Sequence, residues 1–131
     1  MSDANISEQY WTFVNDVARG ASVRHEQAEE LTRATLRELG RSISAGEATR
    51  LAAWLPAELR TDLTSDSGQA RRIDKRTFVD TVGRSGGSTD STTAENQVRA
   101  VFHAVRSEVH DSNELRDTLA QLPTDLAELF E

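Results

Sequence analysis

The chain has 131 residues, 37% of them hydrophobic and 28% charged, with a formal net charge of −7 and no cysteine. That size suits one ordinary domain with a core of its own. Lack of thiols excludes a disulfide framework, thiolate zinc sites and cysteine nucleophiles, and the acidity disfavours general attraction to nucleic acid or anionic membrane. Neither half is a basic lobe, since 7 basic and 10 acidic residues precede position 65 and 8 and 12 follow it. Met1–Asn5 is polar, without the basic and apolar regions of a secretory leader. No stretch approaches the roughly 20 apolar residues that span a bilayer, so the expected location is the cytoplasm.

In chain order, Ser7 reads as the N-cap of a first helix whose apolar face is Tyr10, Phe13, Val14 and Val17, broken at Gly20-Ala21-Ser22. A second helix is expected from about Val23 to Leu39 or Ile43, with Ala28, Leu31, Thr35, Leu36 and Leu39 inward. Gly40 is either its C-cap or an interior glycine costing about 1 kcal/mol. Ser44-Ala45-Gly46-Glu47 is a capping box, in which the serine side chain takes the third amide and the glutamate reaches back to the serine amide. The helix it opens buries Ala48, Leu51, Ala52 and Leu55 and stops at Pro56, which starts a short helix ending at Leu63.

A polar connector, 64–73, follows. Asp74 is the next expected N-cap, before Phe78, Val79 and Val82, and Gly83–Ser91 reads as a flexible loop. Thr92-Thr93-Ala94-Glu95 is a second capping box, opening a helix with the stripe Ala94, Val98, Val101, Phe102, Val105 and Val109. Asp111-Ser112-Asn113-Glu114 repeats the device, followed by Leu115, Leu119, Leu122, Pro123, Leu126, Leu129 and Phe130.

The chain is written twice. Leu55-Pro56-Ala57-Glu58-Leu59 returns 67 positions later as Leu122-Pro123-Thr124-Asp125-Leu126, and the same offset pairs Ser44 with Asp111, Gly46 with Asn113, Glu47 with Glu114 and Ala53 with Ala120. With slips of a residue or two, Ala34-Thr35-Leu36 answers Ala100-Val101-Phe102, and Thr12-Phe13-Val14 answers Thr77-Phe78-Val79. No segment alternates with period two for long. The expected fold is therefore all-α: a pseudo-symmetric helical bundle of two repeated units, about 7–63 and 74–130, each with about three long helices and one short one, forming a single domain over 1–131.

The run Leu36…Leu39, Ser44-Ala45-Gly46-Glu47-Ala48, Leu51…Leu55-Pro56…Leu59, with its weaker second copy ending at Leu122–Leu126, resembles the prokaryotic family named domain of unknown function 2267. The resemblance spans nearly the whole chain. It implies a helical cytoplasmic domain and supplies no activity and no catalytic residues.

No catalytic constellation stands out. His25, His103 and His110 lack helical zinc spacing, and Arg84-Ser85-Gly86-Gly87-Ser88 lacks the Gly-Lys-[Ser/Thr] ending of a phosphate loop and reads as a plain connector. The carboxylate groups Glu26, Glu29 and Glu30, and Glu114 with Asp117, fall opposite the apolar stripes, on solvated faces. Arg99, His103, Arg106 and His110 line one helical face, and Arg33, Arg37 and Arg41 hold the corresponding place in the first copy. These strips either form a cationic groove for an anionic ligand or pair with neighbouring acids. The basic cluster Arg71–Arg76 reads as an exposed helix start.

Trp54 answers to Gln121 and Trp11 to Arg76, so neither tryptophan is required by the unit's own core. Each fills the seam between copies, the preferred reading, or lies exposed as a partner anchor, with Trp54 the first choice. The functional expectation is a non-catalytic interaction or regulatory domain with a protein partner, no cofactor and no bound metal. The alternative is a binder of an anionic ligand or nucleic acid.

Overall fold

The computed structural model describes residues 7–86 and 90–131, and its described residues are helical, without a strand. The helices are α1 (Glu8–Ala21), α2 (His25–Ser42), α3 (Ala45–Ala52), α4 (Ala57–Thr64), α5 (Lys75–Gly86), α6 (Ser91–Glu108), α7 (Ser112–Ala120) and α8 (Thr124–Ala127), closed by a 3-10 turn at Glu128–Phe130. No helix among the described residues is long and apolar enough to cross a membrane.

Short polar side chains set the helix starts. Ser7 Oγ accepts from the Tyr10 amide at 3.1 Å, Ser44 Oγ from the Glu47 amide at 3.2 Å, and Asp74 Oδ1 from the Thr77 amide at 2.8 Å. One expected start is displaced. The cap of α6 is Asp90, whose carboxylate takes the Thr92 and Thr93 amides, rather than Thr92 itself. An ionised acceptor facing two free amides at the positive helix end outcompetes a hydroxyl. The glycine-rich loop is shorter than expected too, because α5 continues through Gly83, Arg84 and Ser85 to Gly86. The rest of that loop, 87–89, lies outside the described residues.

At its other end α1 closes on Ser22, which holds φ 57° and ψ 48°. The Val23 amide donates back to the Ala18 carbonyl at 3.0 Å, a Schellman ending with serine where glycine is usual.

The long helices α2 and α6 form the centre. α2 packs against α1, α4, α5 and α6, while α6 packs against α1, α2, α5 and the final 3-10 turn. Leu31, Leu36 and Leu39 of α2 and Val98, Val101, Phe102 and Val105 of α6 are all essentially inaccessible. Each such side chain contributes about 1.5–3 kcal/mol when withdrawn from water. Phe102 meets Phe78 edge-on at 5.6 Å between ring centroids and stacks on Phe130 at 4.0 Å. Buried hydroxyls of Thr35 and Ser42 donate to the carbonyls one turn back, at 2.8 and 3.1 Å.

Gly40 is an interior residue of α2, not its cap. A Cβ on it would lie 2.1 Å from the Leu63 carbonyl oxygen, so glycine is what lets α2 and α4 touch backbone to backbone.

The Leu-Pro-x-acid-Leu segments each do the same three things. The leucines, Leu55 and Leu59 or Leu122 and Leu126, enter the core. The prolines, Pro56 and Pro123, stand as N-caps of α4 and α8. The acids tie down the start of another helix: Glu58 accepts from the Ser7 amide at 2.7 Å and from its hydroxyl at 3.0 Å, and Asp125 accepts from the Lys75 amide at 3.1 Å. These bonds hold the Glu58 carboxyl below its usual range.

Candidate functional site

Trp11 is the only exposed large hydrophobic side chain among the described residues, at 50% of its full accessibility. It stands on the outer face of α1 because Tyr10, Phe13, Val14 and Val17 take up the inner one. Its ring lies over His25, the first residue of α2, with centroids 4.2 Å apart and planes tilted by 33°. His25 Nδ1 is 3.2 Å from Asn15 Oδ1. With Nδ1 as the donor, that contact holds the imidazole against the indole. Beside Trp11 a shallow depression of about 550 Å³ runs along α1, lined by Thr12, Asn15, Asp16, Ala18, Arg19 and Val23.

Trp54 is half-buried just beyond the end of α3. Its ring meets His110 edge-on at 6.0 Å, and its carbonyl accepts from Gln9 Nε2 at 3.2 Å. The same Gln9 nitrogen donates to Glu108 at 2.6 Å. Trp54 thus joins α1, α3 and the link between α6 and α7. Gln121, 67 positions further on, also bridges, accepting from the Ser44 amide at 2.7 Å and donating to Ser44 Oγ at 3.3 Å.

The two cationic strips take different partners. Arg33 and Arg37 both reach Asp62 of α4, at 2.8 and 3.3 Å, and Arg41 reaches Asp66 at 3.3 Å. On α6, Arg99 pairs with Glu95 at 3.5 Å, His103 Nε2 lies 2.6 Å from the Glu131 carbonyl, and Arg106 donates to the Phe130 carbonyl at 3.0 Å. Among the described residues no hydrogen bond or ion pair joins one strip to the other. Arg99 and His103 instead line a cleft of about 550 Å³ between α6 and the end of α1, together with Asp16, Arg19, Ser22 and Asn96. Its floor is a close helix crossing, where a Cβ on Gly20 would lie 3.2 Å from that of Ala100.

Glu26, Glu30 and Asp117 are exposed, as expected, whereas Glu29 and Glu114 depart from the solvated expectation. Glu29 is half-buried and accepts the Tyr10 hydroxyl at 2.5 Å. Glu47 leaves its capping box half made, because Gln121 already occupies the Ser44 amide. Its side chain is wholly buried, receiving Arg50 at 2.9 Å on one oxygen and the Thr118 hydroxyl at 2.5 Å on the other. Glu114 turns inward from α7 to face it, with 12% of its side chain accessible. Burial works against the charge on Glu47, yet hydrogen bonds from Glu114, Thr118 and Arg50 outweigh it and hold that carboxyl below its usual range. The hydrogen bond to Glu47, then burial, push Glu114 up to about 7. One proton shared by the two carboxyls would turn them into a donor and an acceptor, and the pair titrates as a unit. The sequence held one signal of this contact, since the 67-position offset sets Glu47 against Glu114.

Among the described residues no three His, Asp or Glu side chains cluster as a metal site requires. No curated protein matches the chain. Residues 10–129 match the family described as uncharacterized conserved protein DUF2267, and the chain belongs to that family.

Proposed function

We propose that the protein is a non-catalytic interaction domain that docks a protein partner on the outer face of α1, with Trp11 as the anchor. The observation that carries this is an indole half open to solvent yet already fixed by His25 and Asn15. A large aromatic surface that is ordered before contact loses little side-chain freedom on binding, and tryptophan is enriched among residues that dominate interface energy. The depression beside it offers room for a neighbouring side chain of the partner. Trp54 serves the seam, so the anchor role passes to Trp11.

The scaffold in this reading is a single cytoplasmic domain of two repeats, about 7–63 and 74–130, joined by the connector 64–73, with an approximate two-fold between them. Reciprocal packing supports it: α1 lies on α6 as α5 lies on α2, and Glu58 ties the start of α1 as Asp125 ties that of α5. Equivalent residues near such an axis meet their own counterparts, as Glu47 meets Glu114.

Capture from an extract of the host cell tests the docking face. A partner retained by the wild type and by Arg116→Ala, an exposed control on α7, should be lost with Trp11→Ala. A partner held equally by Trp11→Ala refutes the assignment. A second reading, an anionic ligand in the α1–α6 cleft, is favoured by Arg19 from α1 and Arg99 and His103 from α6 lining it together. Titration with inorganic phosphate, nucleotides and short oligonucleotides, followed at the His103 and Arg99 NMR signals, should then shift both, and unmoved signals refute it.

A further inference from the structure

We propose that Glu47 and Glu114 form a pH-sensitive latch between α3 and α7, closed while the two carboxyls share one proton and loosened when that proton leaves. The inference is independent of the docking face.

Its geometric basis is how little apolar burial holds α7, whose C-cap Gln121 is tied to Ser44 by two polar bonds. α7 packs against α3, and Thr118 is its only fully buried residue, with Leu115 and Leu119 half-buried. The seam is polar instead. Thr118 Oγ donates to Glu47, and Arg50 reaches both acids, Glu47 Oε1 at 2.9 Å and Glu114 Oε1 at 4.0 Å, which sets the two carboxyls side by side. Glu114 Oε2 is buried with no donor in reach. Two ionised carboxylates side by side would be two acceptors without a hydrogen between them. One proton turns the pair into donor and acceptor and satisfies the seam.

The surrounding charges do not rescue the doubly ionised state. Among the described residues Arg50, on α3, is the cation that acts on both members of the pair, and its side chain is 57% accessible, so water screens it. Asp117, on α7 itself, adds negative charge. α4, the other helix against α3, directs its charges elsewhere: Glu58 to Ser7, Arg60 to the Ala52 and Leu55 carbonyls, and Asp62 to Arg33 and Arg37. Glu114, raised from an ordinary 4.5 to about 7, contributes stability that is complete below 4.5 and is lost as pH rises to and through about 7. Glu47, held low, acts in the opposite sense, its contribution being present above 4.5 and lost in acid, so the loosening at neutral and mildly alkaline pH belongs to Glu114.

Carboxyl ¹³C NMR of the full chain reads the proton directly. One glutamate of the wild type should titrate near 7, the signal should vanish in Glu114→Gln, and in Glu47→Gln the Glu114 midpoint should fall, with only burial left to raise it. The chain has no native cysteine, so Thr49→Cys and Arg116→Cys, both at exposed positions, allow a spin-label pair across the seam. Between pH 6 and 8.5 the distance distribution should lengthen and broaden, and the Glu114→Gln background should remove that change. Glutamates that all titrate in the ordinary range overturn the proposal, as does a near-neutral titration with an unchanged distance distribution. The wild-type titration, together with the distances in the labelled chain that keeps both glutamates, decides the matter even where a glutamine variant fails to fold.

Discussion

Replacing Gly40 with alanine should destabilise the protein although alanine is the better helix former. A Cβ there would sit 2.1 Å from the Leu63 oxygen and 3.1 Å from the Leu63 carbonyl carbon, where ordinary contact begins at 3.4 Å. The obstacle is backbone, so no rotamer change relieves it. α4 must retreat from α2 by roughly 1 Å, drawing the fully buried Leu59 and Leu63 partly out of the core. Alanine returns about 1 kcal/mol of helix propensity. Overpacking costs about 1–3 kcal/mol, and partial exposure of two leucines adds a fraction of their burial energy of about 1.5–3 kcal/mol each. The expected net loss is about 2 kcal/mol, seen as a lower urea midpoint at unchanged slope. Gly46→Ala is the control. Its Cβ would meet only the end of the Arg50 side chain, at 3.5 Å, so it should gain up to about 1 kcal/mol. A Gly40→Ala protein as stable as the wild type would refute the claim that glycine sets this helix contact.

Other substitutions separate the remaining roles. Ser22→Gly should raise stability by about 0.5–1 kcal/mol in urea unfolding, because glycine adopts φ 57° without the penalty of a Cβ. Trp54→Ala should cost about 1–3 kcal/mol, and Trp11→Ala less than about 1 kcal/mol, since the first side chain is half-buried at a seam and the second is half exposed. The chain's single tyrosine should ionise at about 12 in an ultraviolet titration rather than near 10, with burial the main cause and the Glu29 bond the next. As a raised phenol, Tyr10 contributes stability that is complete below pH 10 and lost as pH climbs towards 12.

Periodicity made the helices and the inward stripes legible, because side chains three and four apart share a face and the structure buries those faces. Start signals were readable where one short polar residue stands alone, as at Ser7, Ser44 and Asp74. They failed at Asp90, where an acid and two threonines compete within four positions and only the chain path decides between them. The carboxylates misled for a related reason. Helical phase reports which side of its own helix Glu114 faces, but not that α3 covers that side. Gly40 was ambiguous because its reason for being glycine, the Leu63 carbonyl, lies more than twenty positions away. The exposure of Trp11 and the half-burial of Trp54 likewise depend on how helices meet.

Oxidative footprinting of the purified complex tests the docking face most directly. The free protein should oxidise readily at Trp11 and slowly at Trp54, matching their exposures. With the captured partner bound, Trp11 should become protected while exposed control sites on α7 keep their rate. Trp11 oxidising at the same rate in the complex as in the free chain would contradict the account.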